Sequence, residues 1–303
     1  MSTPQTAIIP DHCTAGIFIE AQIRQPQAIA AAAKHALAAL NDLQNRFPDN
    51  RLGMSIGFGA DFWRSLNHAD EGAELKNFTP LGQGAAAATQ HDLMIHIQSL
   101  CHDTNFTLAQ AVLSAFGDAV EVKTEEHGFR RYQERGLDGF IDGTENPQGD
   151  DDIRTVGTIG EGAADAGGSY AVLQKYRHDL KKWNGFSLAQ QEEAIGRSKE
   201  EDIEFEGEHL HPEAHIARVN LKENGVGLKI VRRSLPFGKV SGEHGLMFIA
   251  YCARLHNIEQ QLLSMFGDSA DGRTDLMLQR LTQAVSGAYY FVPSVERLNH
   301  LAD

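Results

Sequence analysis

Residues 136–147 read Gly-Leu-Asp-Gly-Phe-Ile-Asp-Gly-Thr-Glu-Asn-Pro and bring two aspartates and three glycines into one short segment. Glycine reaches backbone conformations that other residues avoid, and Pro147 favours an extended conformation for Asn146, so the segment is predicted to be an ordered loop. Asp142 lies near its centre. Two interpretations are open: a carboxylate that caps the backbone of a tight turn, or a functional acid that the loop presents to a site.

Three histidines, His209, His211 and His215, follow one another with the spacing H-x-H-x3-H. Imidazoles in this pattern are suitable ligands for zinc or copper. The sequence offers no evident fourth ligand, and Pro212 breaks any helix that would bring the three rings to one face. Because an axial ligand to haem iron needs only one imidazole that faces a cavity, the motif is also compatible with haem held by His215. A purely structural role for the histidines is the third interpretation.

The segment Val231-Arg-Arg-Ser234 lies at the end of a predicted strand. Strand alternation directs Arg232 and Ser234 to one face and Arg233 to the other. An arginine that enters a cavity beside a small hydroxyl can stabilise an anion or a developing negative charge. The alternative in an acidic protein is an ion pair on the surface.

The composition of the 303-residue chain limits the classes of function. With 27 basic and 41 acidic residues the formal charge is −14, which disfavours binding to nucleic acid or to an anionic membrane surface. The separated cysteines Cys13, Cys101 and Cys252 predict neither a disulfide framework nor a thiolate zinc site. We find no pattern typical of a secretory signal and no apolar run near the roughly 20 residues that span a bilayer, so a cytoplasmic location is expected.

The elements that position the candidate residues follow a pattern that the chain repeats. His-x-Leu-Met opens a predicted strand at His91 and again at His244, and Leu-Ser-Ala-Phe-Gly-Asp at Leu113 resembles Leu-Ser-Met-Phe-Gly-Asp at Leu263. In the first half we predict strands over 14–23, 52–58 and 91–98 and helices over 28–45 and 107–116. In the second half we predict strands over 170–176, 227–233, 244–251 and 287–292 and helices over 188–196 and 257–266.

Each half therefore has the order β-α-β-β-α-β, in which helices cover one face of a sheet. The predicted fold class is α+β, with duplicated ferredoxin-like domains and antiparallel sheets of the dimeric α+β barrel type, divided into residues 1–150 and 151–303. Residues 197–224, which carry the histidines, form an insertion in the second half. Residues 59–84 are predicted to be an irregular connection. A large ligand is expected on a sheet face that helices leave uncovered.

Five segments in this order resemble the dye-decolorizing peroxidase family, and the similarity covers nearly the whole chain. They are Gly139-Phe-Ile-Asp-Gly-Thr-Glu-Asn-Pro147, His215, Arg232 with Ser234, Gly245-Leu-Met-Phe248 and Phe291-Val-Pro-Ser294. The resemblance implies a duplicated ferredoxin-like fold with haem b in the C-terminal half, in agreement with the repeat. The chain is similar to the short cytoplasmic bacterial branch, which includes porphyrinogen peroxidases.

The resemblance also implies roles for individual residues and one haem b per chain. His215 corresponds to the proximal iron ligand, and Asp275 is the candidate carboxylate that accepts a hydrogen bond from its imidazole. Asp142 corresponds to the distal acid and Arg232 to the distal arginine. Ser234 stands where some relatives have asparagine.

Further cofactor contacts are expected from four residues of the two segments that resemble the family. These are Gly143, Thr144, Leu246 and Phe248. In the implied mechanism, Asp142 moves a proton from the inner to the outer oxygen of peroxide, and Arg232 stabilises negative charge on the departing oxygen.

The expected function is a haem peroxidase that reduces hydrogen peroxide and oxidises dyes, phenolics or porphyrinogens as small-molecule electron donors. The alternative is a haem-handling protein without peroxidase activity, which carries haem or removes its iron. A zinc-dependent hydrolase and a binding module without catalysis are the other candidates. Relatives and exposed sheet edges favour a homo-oligomer.

Overall fold

The structure is a computed structural model that describes residues 2–66 and 70–301. Its first half contains four strands and three helices. In chain order they are β1 (Ala15–Ile23), α1 (Ile29–Arg46), β2 (Gly53–Phe58), α2 (Ala60–Ser65), β3 (Leu93–Ser99), α3 (His102–Phe116) and β4 (Val120–Phe129). Helix α1 is rich in alanine and leucine, which favour helix, and it buries one apolar face against the sheet.

The second half contains the same plan with additional short elements. In chain order they are α4 (Asp150–Gly157), β5 (Ser169–His178), α5 (Leu180–Trp183), α6 (Leu188–Ile195), α7 (His215–Val219), β6 (Lys222–Glu223), β7 (Val226–Gly227), β8 (Val231–Arg232), β9 (Leu235–Gly238), β10 (His244–Cys252), α8 (Leu255–Met265), α9 (Leu276–Arg280), β11 (Thr282–Ala284), β12 (Ala288–Val292) and α10 (Val295–Asn299). Helix α6 begins with a capping box, in which the Ser187 hydroxyl accepts from the Gln190 amide.

The strands of each half pair in the ferredoxin-like order. The first half has the order β4-β1-β3-β2 and the second has β12-β5-β10-β9, with every pair antiparallel. The two sheets join where β12 meets β2 at Phe291 and Phe58, and where β4 meets β9 at Gly128 and Phe237. The pairs close the ring β12-β2-β3-β1-β4-β9-β10-β5, so the predicted fold class is confirmed.

The sheet faces that helices leave uncovered pack against each other inside the barrel. Phe18, Leu173, Met247 and Tyr290 belong to the apolar cluster that fills this interior. The expectation that a large ligand lies on an uncovered sheet face is therefore wrong. Burying both apolar faces against each other removes them from water, and the large cavity lies on the side of β5 and β10 that the helices cover.

Two predicted segments differ from the structure. The predicted strand over 227–233 is wrong in its first part, because Val226–Gly227 pairs with Lys222–Glu223 in a separate hairpin and the sheet strand begins at Val231. Asn224 and Gly225 have φ of 50° and 81°, which suits the tight turn of that hairpin.

The predicted irregular connection over 59–84 contains helix α2 and a 3-10 turn at Gly82–Gly84, while residues 67–69 lie outside the described part. Strand β4 had not been located in the sequence. In the described residues no helix has both the length and the apolar composition that a membrane crossing requires.

The carboxyl of Glu20 on β1 lies in the barrel interior. Its carboxyl accepts hydrogen bonds from the Tyr290 hydroxyl at 2.6 Å and from the Thr124 hydroxyl at 3.1 Å. Burial raises the pKa of Glu20 to about 7, although these two hydrogen bonds act in the opposite direction. The fold therefore favours the protonated form.

The stability of the fold should fall as the pH rises through the titration of Glu20. Because the folded-state pKa lies above the ordinary value of 4.5, its contribution is fully present below about pH 4.5 and is lost as the pH rises through about 7. In Glu20→Gln this loss should be absent, a difference on the order of 3 kcal/mol in the free energy of unfolding above pH 7. Urea unfolding between pH 4.5 and 8.5 measures it. The control is the exposed Glu201→Gln, and equal pH profiles for the two variants would contradict the prediction.

Candidate active site

A cavity of about 340 Å³ lies between the helix-covered side of the second half and the loop of residues 136–147. Its apolar wall is formed by side chains of strand β10 and of helices α7 and α8. The side chains are those of Leu246, Phe248, Ile216, Val219, Ile258, Leu262 and Met265. A large apolar cavity with a few polar side chains is the usual form of a cofactor or ligand site.

His215 is the first residue of α7 and lines this cavity. Its Nδ1 lies 2.7 Å from Oδ2 of Asp275, so the contact predicted between these residues is present. Asp275 is 0% exposed and also caps α9, because its Oδ1 accepts from the Met277 amide at 2.8 Å. A carboxylate accepts hydrogen bonds, so the Nδ1 proton donates to Asp275 and Nε2 is the nitrogen with a free lone pair.

Asp142 and Arg232 lie together on another part of the same wall. The Arg232 Nη1 is 3.3 Å from Oδ1 of Asp142, and the two side chains are 25% and 30% exposed. The Asp142 amide donates to the Glu134 carbonyl at 2.9 Å, and the next residue, Gly143, has a φ of +94°. Only glycine adopts that conformation without strain, so Gly143 turns the chain directly after the acid.

The loop that carries Asp142 is held to the insertion by a group of charged side chains. The Thr144 hydroxyl donates to Asp202 at 2.6 Å, and Arg197 forms ion pairs with Glu145, Asp202 and Glu204. Arg197 is buried, so its three acidic partners compensate for the loss of water around the guanidinium. The insertion therefore fixes the position of the loop.

Asp138 is a second acid of the cavity wall that the sequence analysis did not select. Asp138 lines the cavity and is partly buried, and its carboxyl accepts a hydrogen bond from the Phe140 amide at 3.0 Å. Burial raises the pKa of Asp138 to about 6, and the nearby charge of Asp142 acts in the same direction. The sequence feature that could have indicated Asp138 as a site residue is its position in the same glycine-rich segment as Asp142.

The structure brings most of the sequence-selected residues to one cavity. Lining it are Asp142, Thr144, His215, Arg232, Leu246 and Phe248. The Asp275 carboxyl is hydrogen-bonded to His215, and the positive φ of Gly143 turns the chain directly after Asp142.

Ser234 is placed differently from the expectation. Its buried hydroxyl accepts from the Ile249 amide at 3.2 Å and donates to the Ile249 carbonyl at 3.4 Å. It lies outside the set of described residues that line the cavity, so its geometry lends no support to the expected catalytic role. Ser234 lies in the short gap between β8 and β9, where regular strand pairing with β10 is interrupted. In this gap its hydroxyl bonds to the backbone N–H and C=O of Ile249 on β10.

The other two histidines of the H-x-H-x3-H motif take no part in this wall. His209 is exposed in a single turn, and the His211 Nδ1 accepts from the Glu213 amide at 3.1 Å. Within residues 2–66 and 70–301, no three His, Cys, Asp or Glu side chains are arranged as a metal site. The geometry therefore lends no support to the zinc alternative.

Two family models match the chain: Dyp-type peroxidase, N-terminal, over residues 5–130, and Dyp-type peroxidase, C-terminal, over residues 133–297. The chain belongs to the Dyp-type peroxidase family. The predicted family is thus confirmed and, with it, the predicted class of enzyme.

Individual relatives agree with this assignment. A dye-decolorizing peroxidase of Mycobacterium tuberculosis is 39% identical over 260 residues, which cover 84% of this chain and 77% of the relative. A dye-decolorizing protein from V. cholerae has a TM-score of 0.89 and 39% identity, covering 98% of this chain and 99% of the other. A variant of Rhodococcus jostii DypB in complex with heme has a TM-score of 0.91 and 31% identity, with 98% of each chain covered.

Replacing Asp275 by alanine should destabilise the protein more than the loss of a helix cap alone. The variant loses the cap of α9 and also leaves the His215 N–H without its carboxylate, at a combined cost of roughly 3 kcal/mol. The matched control is Asp179→Ala, which removes the exposed cap of α5 at a cost of about 1 kcal/mol. Urea unfolding of both variants measures the difference, and equal losses would show that the contact with His215 does not contribute.

Proposed function

We propose that this protein is a haem peroxidase that reduces hydrogen peroxide and oxidises dyes, phenolics or porphyrinogens. One observation carries the proposal: a single apolar cavity contains an imidazole backed by a buried carboxylate and an Asp142–Arg232 pair. Membership of the Dyp-type peroxidase family supports the same conclusion.

The donor set of the cavity fits haem. His215 offers Nε2 while its other nitrogen is bound to Asp275, which is the arrangement that orients a histidine toward a metal. Leu246 and Phe248 present apolar surface suited to a porphyrin face. Lys222 and Lys229 line the same cavity and supply positive charge for the carboxylates of haem. When bound, haem supplies the iron and the redox chemistry, while the protein supplies orientation, protons and access.

Asp142 and Arg232 are the groups that act on peroxide in this proposal. The Arg232 guanidinium lies 3.3 Å from the Asp142 carboxylate and forms an ion pair with it. With haem bound, the Asp142 carboxylate would accept a proton from one peroxide oxygen and donate it to the other, and the haem would supply the two electrons with which that second oxygen leaves as water. The arginine stabilises the negative charge that develops on the leaving oxygen.

His215 and Asp275 act on the other side of the reaction. The hydrogen bond from Nδ1 to the buried carboxylate would increase the electron density that Nε2 could donate to the iron of a bound haem. Gly143 and Thr144 extend the Asp142 loop, and Thr144 continues the wall. These two are proposed to contact the cofactor.

The organisation of the chain and its setting belong to the same proposal. A division at residue 150 assigns the Asp142 loop to the first half and both His215 and Arg232 to the second, so that the site needs both halves. Three cysteines without disulfide partners support a reducing, cytoplasmic location. Exposed Phe106, Val122 and Phe129 support association into a homo-oligomer.

Haem binding should depend on His215. His215→Ala removes the iron ligand, so the affinity for added haem should fall by at least about 10-fold. His211→Ala is the matched control from the same segment and should bind haem as the wild type does. Absorption titration with haem measures both, together with metal analysis of the purified protein. Zinc in place of iron, or equal binding by the two variants, would contradict the assignment.

Haem-loaded wild type should oxidise a dye or a phenol only when peroxide is present. Asp142→Asn and Arg232→Ala should bind haem normally and react with peroxide on the order of 100-fold more slowly, because each lacks one group that the O–O cleavage uses. Stopped-flow absorption gives these rates, and steady-state oxidation gives the turnover. A wild type that releases iron from haem but does not turn over would instead support the haem-handling alternative. Variants as fast as the wild type would refute the two assigned roles.

A further inference from the structure

Asn146 lies four residues after Asp142 in the same loop and is only 8% exposed. The side-chain amide of Asn146 bonds to the backbone of Arg232 through both its oxygen and its nitrogen. The Arg232 N–H donates to Oδ1 of Asn146 at 2.9 Å, and Nδ2 of Asn146 donates to the Arg232 carbonyl at 3.0 Å. Asn146 is outside the set of described residues that line the cavity, and both hydrogen bonds of its side chain go to Arg232, which does line it.

The position of Arg232 explains why its backbone needs such a partner. Strand β8 contains only Val231 and Arg232 and pairs on one side with β10, where Arg232 lies opposite Ala250. The N–H and C=O of one strand residue point to the same side, and those of Arg232 point away from β10. The amide of Asn146 supplies the donor and the acceptor that a neighbouring strand would have offered.

Both sides of this contact are themselves fixed. On the strand side, Arg233 donates to the Arg232 carbonyl at 3.1 Å and to the Ile8 carbonyl at 3.0 Å. On the loop side, the backbone N–H of Asn146 donates to the Gly143 carbonyl at 2.9 Å, and this hydrogen bond closes a turn directly after Asp142. These contacts form a closed ring. The turn connects Asp142 to Asn146, the Asn146 side chain bonds to the Arg232 backbone, and the Arg232 guanidinium contacts Asp142.

We propose that Asn146 is a positioning residue for the peroxide reaction. It fixes the backbone of Arg232 relative to the loop and thereby sets the distance between the guanidinium and Asp142. The proposal rests on the proposed peroxidase function. Since a displacement near 1 Å can cost about 100-fold in rate, removing this clamp should slow the reaction with peroxide by roughly 10- to 100-fold.

The test compares Asn146→Ala with Asn105→Ala in haem-loaded protein. Asn105 is also buried, and its Nδ2 donates to the Ala15 carbonyl at 3.0 Å, but it lies on α3 among residues remote from the cavity wall. Both variants lose a buried hydrogen-bonded amide, so thermal unfolding of each separates the loss of stability from the effect on the reaction. Only Asn146→Ala should slow the peroxide reaction, measured by stopped-flow absorption.

A double-mutant cycle identifies the route of the effect. If Asn146 acts through the guanidinium, Asn146→Ala should change the rate by less than about 2-fold when Arg232 is already alanine. Hydrogen exchange gives a readout independent of activity. The Arg232 amide should be protected in the wild type and in Asn105→Ala and should lose protection in Asn146→Ala.

Each outcome of the experiment decides a separate question. A wild type that does not react with peroxide overturns the proposed function. A reactive wild type with Asn146→Ala as fast as Asn105→Ala, or with fully additive effects in the cycle, overturns the positioning role alone. Should Asn146→Ala not fold, Asn146→Asp serves instead: it keeps the acceptor for the Arg232 N–H, loses the donor to the carbonyl, and should react about 10-fold more slowly.

Discussion

The rest of the structure depends on the burial of two open sheet faces against each other. Each half of the chain forms a four-stranded sheet with helices on one side, and the bare side would expose apolar residues such as Phe18 and Met247 to water. The pairing of β12 with β2 and of β4 with β9 closes the barrel, which buries these faces and leaves no open edge on either four-stranded sheet. The closed barrel also decides where a cavity can exist. Because the interior is filled, the space for a cofactor lies outside it, between β10 and the helices of the second half.

The candidate site residues are carried by elements too short to be stable alone. Helix α7 has five residues, α9 has five, and β8 has two. Their positions come from specific polar contacts: Asp275 connects α9 to His215, and Asn146 connects the Asp142 loop to β8. Arg197 and its acidic partners hold the same loop from the other side. The rigid barrel provides the frame, and these contacts transmit its rigidity to the site.

The acidic side chains of the protein differ in function because their surroundings differ. The Asp142 carboxylate forms an ion pair with Arg232, and the Asp275 carboxylate accepts a hydrogen bond from His215. Glu20 and Asp138 instead accept hydrogen bonds from neutral donors, and burial raises the pKa of both. The cavity wall thus contains the Asp142 carboxylate, paired with a cation 90 positions away in the sequence, and the Asp138 carboxyl, whose pKa is raised by burial.

The amino-acid sequence by itself predicted the repeated β-α-β-β-α-β plan, although not the position of β4, because helix and strand periodicities and the two Leu-Ser-x-Phe-Gly-Asp segments are local patterns. It also indicated Asp142, His215, Arg232 and Asp275 as candidate site residues, because the order of the segments that resemble the family can be read without coordinates. The tertiary structure alone decided that the bare sheet faces meet, that the Ser234 hydroxyl bonds to Ile249, and that Asn146 holds Arg232. These features depend on contacts between residues far apart in the chain, such as the 86 positions between Asn146 and Arg232. Local pattern contains no information about such distances, because chain closure and packing set them.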